Sequence, residues 1–156
     1  MLRLGFGVAG LVLILDQITK WLILDAFLDD PRSVIVTDFF NLVLVWNRGV
    51  SFGLFASGAA WAPYALIALA LAISVFLVFW LRRAETRLLA AAIGLVLGGA
   101  IGNVVDRARF EAVVDFLDFH AFGYHWPAFN VADSAITVGV IMILADGLFE
   151  SRRKPM

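Results

Sequence analysis

Two aspartates, Asp115 and Asp133, have the residue type and surroundings to activate water. Asp115 follows Val113 and Val114 in an apolar run, and Asp133 lies three residues after Asn130. Each has an ordinary alternative, since Asp115 can be a carboxylate on a strand edge and Asp133 can complete a capping box with Asn130. If the two meet, they repel by about 4 kcal/mol at ~4 Å in an effective dielectric near 20, so the pair keeps one shared proton. One acid and one base are what water-activating peptide hydrolysis needs.

A second group of polar residues lies inside two long apolar segments. Asp16 and Lys20 are four residues apart and share a helix face, in a setting where an unpaired charge costs about 2.5 to 3.5 kcal/mol. An ion pair that orients the helix is the simpler interpretation, and a direct chemical role is the alternative. Asn103, Asp106 and Arg107 follow at i, i+3 and i+4 on another predicted helix, at a similar depth. We expect a shared polar network.

Other catalytic chemistries are less well represented in the sequence. The chain has no cysteine, and His120 and His125 lie near Asp118 without a zinc-binding H-E-x-x-H pattern, so we expect no metal and no cofactor. A Ser-Lys dyad is an enzymatic alternative, in which Lys20 activates one of three serines: Ser51, Ser57 or Ser134.

The composition indicates the class of protein to which these residues belong. Hydrophobic residues make up 62% of the 156 residues, which is more apolar surface than a soluble core of this size can bury, so a membrane protein is predicted. The net charge of -1 provides no basic surface, and nucleic-acid binding is therefore not expected.

Four apolar segments have the length of a membrane span. We predict transmembrane helices at about 4–28, 62–81, 88–106 and 131–149, in one domain that covers residues 1–156. The first segment resembles a secretory signal but lacks a small-residue cleavage site, so it is interpreted as an uncleaved helix. Gly94, Gly98 and Gly102 are spaced for close helix packing. Positive residues would place both termini in the cytoplasm: Arg3, Arg82, Arg83, Arg87, Arg152, Arg153 and Lys154.

The segments between these helices, about 29–61 and 107–130, are predicted to be extracytoplasmic. In the first, the β-branched and aromatic runs Val34–Val36, Phe40–Trp46 and Val50–Phe55 indicate a small sheet. The second is expected to pack on that sheet. The predicted fold is thus a mainly α membrane protein with four transmembrane helices, a small extracytoplasmic β-sheet and an outer loop over the active site.

Five motifs, in this order, resemble those of bacterial lipoprotein signal peptidase, or signal peptidase II. They are Asp16-Gln17-Ile18-Thr19-Lys20, Asn47-Arg48-Gly49-Val50-Ser51-Phe52, the stretch from Gly98 to Arg107, Val113-Val114-Asp115-Phe116 and Phe129-Asn130-Val131-Ala132-Asp133. The resemblance covers nearly the whole chain. One departure is Val50-Ser51, where the family often has Ala-Ala, and it bears on substrate preference.

The resemblance implies a membrane aspartic endopeptidase that removes signal peptides from diacylglyceryl-modified prolipoproteins, cutting before the lipidated cysteine. It implies a site at the outer face of the cytoplasmic membrane, globomycin-type peptide inhibitors, contact with membrane lipid, and we expect a monomer. The dyad maps onto Asp115 and Asp133. Supporting or substrate-binding residues map onto Asp16, Lys20, Asn47, Gly49, Asn103, Asp106, Arg107 and Asn130.

A small proton-coupled membrane transporter is the alternative outside the enzymes. It would use Asp16, Lys20, Asp106 and Asp133 as a relay. A relay should also leave ionisable groups in the inner half of the membrane, where only Asp146 lies, close to the boundary. The sequence therefore favours the peptidase.

Overall fold

The computed structural model describes residues 1–30, 32–49 and 61–153, the side chains of 149–153 excepted. Four of its helices are long and apolar enough to cross a membrane, so the predicted four-helix membrane fold with a small sheet is confirmed. In chain order the elements are α1 (Leu2–Phe27), β1 (Val34–Thr37), β2 (Phe40–Asn47), α2 (Ala62–Leu81), α3 (Arg87–Phe110), β3 (Val113–Ala121), β4 (Tyr124–His125) and α4 (Val131–Arg153).

Local signals determine where the helices begin and end. α2 begins with a proline in its first turn, where the missing N–H has no intrahelical acceptor to lose. Thr86 caps α3 by accepting a hydrogen bond from the Leu89 amide, at 3.0 Å. α3 ends at Phe110, and the C-cap residue Glu111 has a φ of 57°, in the left-handed region. The sequence predicts an end near Asp106, so the helix is one turn longer than expected, and Arg107 belongs to it rather than to the outer segment.

α3 is the central helix, and the other three pack on it. Its glycines allow that approach on two sides. A Cβ at Gly98 would lie 2.5 Å from the Ala9 carbonyl oxygen of α1, and one at Gly99 would meet the Ala132 carbonyl of α4. The small residues therefore let polar groups on α1, α3 and α4 come within hydrogen-bond distance of one another.

The four strands form one antiparallel sheet in the order β1-β2-β3-β4. β2 and β3 form the centre, with Val45 opposite Asp115 and Asn47 opposite Val113. The sequence predicts that the segment at about 107–130 packs on the sheet. In the structure this segment forms part of the sheet, because it contains β3 and β4. The predicted strand Val50–Phe55 lies outside the described residues, as do Ser51, Ser57 and Lys154.

The sheet lies where α1 and α3 end and α2 and α4 begin, and we call this the sheet end of the bundle. A hydrophobic cluster joins the two layers, because Ile23 and Phe27 of α1 pack with Val114 and Phe116 of β3. Burial of these side chains fixes β3 against α1. Asp115 lies between Val114 and Phe116 in β3, so the same packing holds it at the sheet end of the bundle.

Candidate active site

Asp115 is buried in β3 and accepts one hydrogen bond on each carboxylate oxygen. Asn130 Nδ2 donates to Oδ1 at 2.7 Å, and Asn47 Nδ2 donates to Oδ2 at 2.9 Å. Asn47 and Asp115 are diagonal neighbours on the paired strands β2 and β3, and a side chain can span the distance between such neighbours. Only 1% of Asp115 is exposed, so these two amides replace the water that an open carboxylate would bind.

The backbone fixes which way both amides point. Asn130 Oδ1 accepts from the Asp133 backbone N–H at 2.9 Å and so caps α4. Asn47 Oδ1 accepts from the Gly49 backbone N–H at 2.8 Å, in a turn where Gly49 has a φ of 83°. Since each oxygen is already paired with an N–H, each NH₂ group is left to face Asp115.

Asp133, in the first turn of α4, has an equivalent partner on α3. Asn103 Nδ2 donates to Asp133 Oδ1 at 2.8 Å, and Asn103 Oδ1 accepts from Lys20 Nζ at 3.0 Å. Asn130 Nδ2 also lies 3.4 Å from Asn103 Oδ1. Two asparagines, Asn130 and Asn103, therefore connect the two aspartates to each other and to Lys20.

Lys20 is the centre of a buried ion cluster just below the aspartates. Its Nζ lies 2.9 Å from Asp16 Oδ2 and 2.8 Å from Asp106 Oδ2. Gln17 donates to both carboxylates, at 3.1 Å each. The predicted i, i+4 pair of Asp16 and Lys20 is thus confirmed, and Asp106 shares the same cation.

The two carboxylates of this cluster also hold the backbone around the site. Asp16 Oδ1 accepts from the Ala132 amide in the first turn of α4 at 2.9 Å, which satisfies a helix N–H without an intrahelical partner. Asp106 Oδ2 accepts from the Val114 amide at 3.1 Å. The ion cluster therefore positions the residues adjacent to both Asp133 and Asp115.

Burial dominates the electrostatics of Asp115. Burial raises the pKa of the Asp115 carboxyl to about 6, and repulsion from Asp133 adds to the increase. The hydrogen bond from Asn47 acts in the opposite direction and lowers the pKa. Arg107 is close enough for its charge to interact with Asp133, Asp115 and Asp106, and its Nη1 lies 3.5 Å from the Asn103 carbonyl. Asp115 can therefore gain or lose its proton near pH 6, and a cation lies beside it.

Two adjoining cavities open onto the aspartates. One of about 440 Å³ is lined by Asp115 and Trp46, and one of about 570 Å³ by Asp133 and Trp126. Asn47, Pro127 and Ala128 line both. A peptide segment that crosses from one cavity to the other would pass both carboxylates.

The alternatives to an aspartate pair find little support in the geometry. Lys20 is held between two carboxylates, so its ammonium is poorly suited to act as a base, and Ser134 Oγ donates to the Asn130 carbonyl at 2.9 Å. Across the described ranges, no group of three or more His, Cys, Asp or Glu side chains is placed to hold a metal ion.

The histidines belong to a separate cluster on the sheet. His125 Nδ1 lies 2.8 Å from Asp118 Oδ1, and Asn41 donates to Asp118 Oδ2 at 2.9 Å. Burial opposes ionisation of Asp118, but the hydrogen bonds from His125 and Asn41 outweigh it and lower the pKa of the carboxyl. This cluster contributes to the sheet rather than to the aspartate site.

Comparison with known proteins identifies the family. The sequence model of the family described as signal peptidase (SPase) II matches residues 8–149. The chain belongs to the signal peptidase II family. Among curated relatives, the lipoprotein signal peptidase of Janthinobacterium sp. (strain Marseille) is 46% identical over 143 residues, which are 91% of this chain and 86% of that protein. That of Burkholderia vietnamiensis (strain G4 / LMG 22486) is 44% identical over the same shares.

Two solved structures of bacterial membrane enzymes share the fold. A bacterial membrane enzyme determined by the in meso method at 2.3 Å resolution matches 97% of this chain and 91% of its own with a TM-score of 0.83 and 32% identity. A second, at 1.9 Å resolution, covers 92% of each chain with a TM-score of 0.80 and the same identity. The chain is thus a multi-pass membrane protein of a peptidase family, and the transporter alternative is not supported.

Several features of this signal peptidase II site are not apparent in any local sequence pattern. The bridging role of Gln17, and the use of the Ala132 and Val114 amides, depend on residues distant in the chain. Asn47 and Gly49 were proposed from the family motif alone. The Asn-x-Gly spacing would have predicted the turn, but nothing local indicates that Asn47 faces Asp115.

Proposed function

We propose that this protein is an aspartic endopeptidase that removes signal peptides from diacylglyceryl-modified prolipoproteins, cutting before the lipidated cysteine. Family membership supports the peptidase class and the prolipoprotein substrate. The observation that carries the aspartic mechanism is that Asp115 and Asp133 are joined through Asn130 and Asn103 at the mouth of adjoining cavities.

The proposed reaction uses one proton shared by Asp115 and Asp133. The ionised carboxylate removes a proton from water as the water oxygen attacks the scissile carbonyl carbon, and the protonated carboxyl donates to the carbonyl oxygen. Collapse of the tetrahedral gem-diol breaks the C–N bond: the carboxyl that took the proton from water donates it to the leaving amine nitrogen, and one diol hydroxyl gives its proton to the other carboxylate. The dyad returns to a single proton, so the cycle is balanced.

The remaining polar residues support this chemistry in different ways. Asn47, Asn103 and Asn130 orient the two carboxylates, and Asp16, Lys20 and Asp106 hold the backbone next to them. Arg107 is close enough for its charge to interact with both Asp115 and Asp133, so it favours the ionised member of the pair.

We further propose that the protein lies in the bacterial cytoplasmic membrane with the sheet end at the extracytoplasmic face. Arg3, Arg82, Arg83 and Arg87 lie at the other end of the helices, as the positive-inside rule requires for cytoplasmic loops. A substrate anchored by its signal helix and its lipid presents its cleavage site at that outer boundary, beside the aspartates. The same cavities are where we expect globomycin-type peptides to bind.

The test is cleavage of a diacylglyceryl-modified prolipoprotein by the purified protein in detergent with phospholipid. Asp115→Asn and Asp133→Asn should each reduce the rate by about 10²- to 10⁴-fold, because each removes the acid or the base. An unmodified prolipoprotein should be cleaved more slowly than the lipidated one. Normal cleavage by either variant would exclude the aspartic mechanism.

Asp146→Asn is the matched control, since Asp146 is also a buried carboxylate of α4 but lies near the other end of the helix. It should leave the cleavage rate close to that of the wild type. Ser134→Ala tests the Ser-Lys alternative and should also remain active. Loss of activity in Ser134→Ala with full activity in Asp115→Asn would favour that alternative.

A further inference from the structure

A cavity of about 580 Å³ lies between α1 and α2, and neither Asp115 nor Asp133 lines it. Its walls are almost entirely apolar and include Phe6, Gly10 and Leu13 of α1, Val75 and Phe79 of α2, and Leu97 of α3. Phe6 is 48% exposed and Phe79 59% exposed, so the cavity is a groove that is open to the surroundings of the bundle. We call it the α1–α2 groove.

The depth of the groove determines what can enter it. Phe6 and Leu13 are seven residues apart, which corresponds to about 10 Å along the helix axis and to a third of a ~30 Å bilayer core. The groove therefore faces the acyl chains of one leaflet. Ser74 is the polar residue of its wall, and its hydroxyl already donates to the Ala70 carbonyl at 2.7 Å. The walls thus require no polar partner.

Two arginines lie at the end of the groove farthest from the sheet. Arg82 is three residues beyond Phe79, with its guanidinium carbon 5.5 Å from the centre of that ring. Arg3 precedes Phe6 by three residues and shares its helix face. α1 and α2 are adjacent here, because a Cβ at Gly5 would lie 2.5 Å from Leu81 Cδ1.

Both arginine side chains are exposed, and neither forms an ion pair within the described ranges of the chain. The groove thus combines an apolar channel at acyl-chain depth with two cations at the level of the lipid head groups. An anionic lipid matches both parts, whereas a zwitterionic lipid would bring its own cation to the arginines.

We propose that the α1–α2 groove binds one anionic glycerophospholipid, with an acyl chain between the helices and the phosphate at Arg3 and Arg82. This site is separate from the proposed peptidase site. It would attach the lipid to α2, which has few buried residues of its own and packs mainly on α3.

The test is a titration of the purified protein in lipid-free detergent, with bound lipid counted by native mass spectrometry. The probes are dioleoyl phosphatidylglycerol and dioleoyl phosphatidylcholine, which share the same acyl chains. The wild type should bind the first about tenfold or more tightly than the second. Arg3→Gln with Arg82→Gln should remove that preference, since each arginine contributes about fivefold. Arg109→Gln, at the sheet end, is the charge control and should retain it.

Gly10→Leu tests the acyl-chain part of the proposal. A Cβ at Gly10 meets nothing within 4 Å, and Gly10 lines the groove, so a leucine here should occupy part of it and reduce binding of both lipids. Gly7→Leu is the matched control, because its Cβ is equally free and Gly7 does not line the groove. Thermal unfolding in the same detergent checks the fold of each variant.

Equal affinity of the wild type for the two lipids would overturn the proposal. So would a folded Gly10→Leu variant that binds phosphatidylglycerol as the wild type does. Both readouts are independent of peptide cleavage, so a failure of the proposed peptidase function would leave this result unaffected.

Discussion

Two groups of carboxylates lie at the sheet end, all of them buried except the half-buried Asp133, and they are held by different chemistry. Asp16 and Asp106 lie within 3 Å of the Lys20 ammonium. Asp115 and Asp133 accept hydrogen bonds of 2.7 to 2.9 Å from the uncharged amides of three asparagines. Within the described residues, the first group has a cation at ion-pair distance, whereas the second has only the more distant charges of Arg107 and Lys20.

The difference separates support from reactivity. A lysine at ion-pair distance and a backbone N–H hold each carboxylate of the first group in place, so Asp16 and Asp106 suit fixed structural roles. Among the described residues, Asp115 accepts only from amide groups, and burial opposes its ionisation, so its charge can change near pH 6. A group that must gain and lose a proton in each cycle is better served by amides than by a lysine.

The largest expected effect comes from removing the counter-charge. Lys20→Met keeps the length of the side chain but leaves Asp16 and Asp106 buried and unpaired, which should lower the free energy of unfolding by about 3–5 kcal/mol. Thermal unfolding in detergent measures it. Arg109→Met, at an exposed position of α3, should remain within about 0.5 kcal/mol of the wild type. If Lys20→Met unfolds at the wild-type temperature, the ion cluster is not what holds α1, α3 and α4 together.

The second prediction concerns the pH dependence of stability. Asp115 has a pKa of about 6 when folded and about 3.9 when unfolded, so its contribution is fully present below pH ~4 and is lost as pH rises through ~6. The loss amounts to about 3 kcal/mol at most. Asp115→Asn cannot ionise, so its unfolding temperature should fall less than that of the wild type between pH 4 and 8. Parallel curves for the two proteins would contradict the high pKa.

Local patterns in the sequence predict those contacts of the two carboxylate groups that form within one helix. Asp16 and Lys20 pair because i and i+4 share a face, and Asn130 caps α4 because its position precedes an apolar helix. The contacts that join the elements were not predictable. Asn47 is 68 residues from Asp115, and they meet only because β2 and β3 pair in one register. That register depends on side chains packed against α1.

A third variant separates capping from proton control. Asn130→Asp keeps the oxygen that caps α4, and aspartate caps helices as well as asparagine does. It replaces the N–H that faces Asp115 with a like charge, so the pKa of Asp115 should rise further, and the pH–activity profile should move upward by about one unit. Thermal unfolding shows whether the cap is retained. An unchanged profile in a folded variant would show that this amide does not control the proton.

The smallest effect is expected at a carboxylate outside both groups. Asp146 accepts a hydrogen bond from Thr86 Oγ1 at 2.8 Å, near the end of the bundle opposite the sheet. Thr86→Ala removes this bond and the cap of α3, and it should cost about 0.5–2 kcal/mol without changing the cleavage rate. Thr86→Ser keeps the hydroxyl and should behave as the wild type. A loss of activity in a stable Thr86→Ala variant would show that the two ends of the bundle are coupled.

The hydrogen bond from Ala132 to Asp16 spans 116 residues, and this separation affects how the chain is assembled during translation. At about 5–20 residues per second, the ribosome completes Ala132 roughly 6–23 seconds after Asp16. During that interval Asp16 already has Lys20 one turn away on the same helix. The first helix can therefore enter the membrane as a neutral pair, and the later helices complete contacts that it already presents.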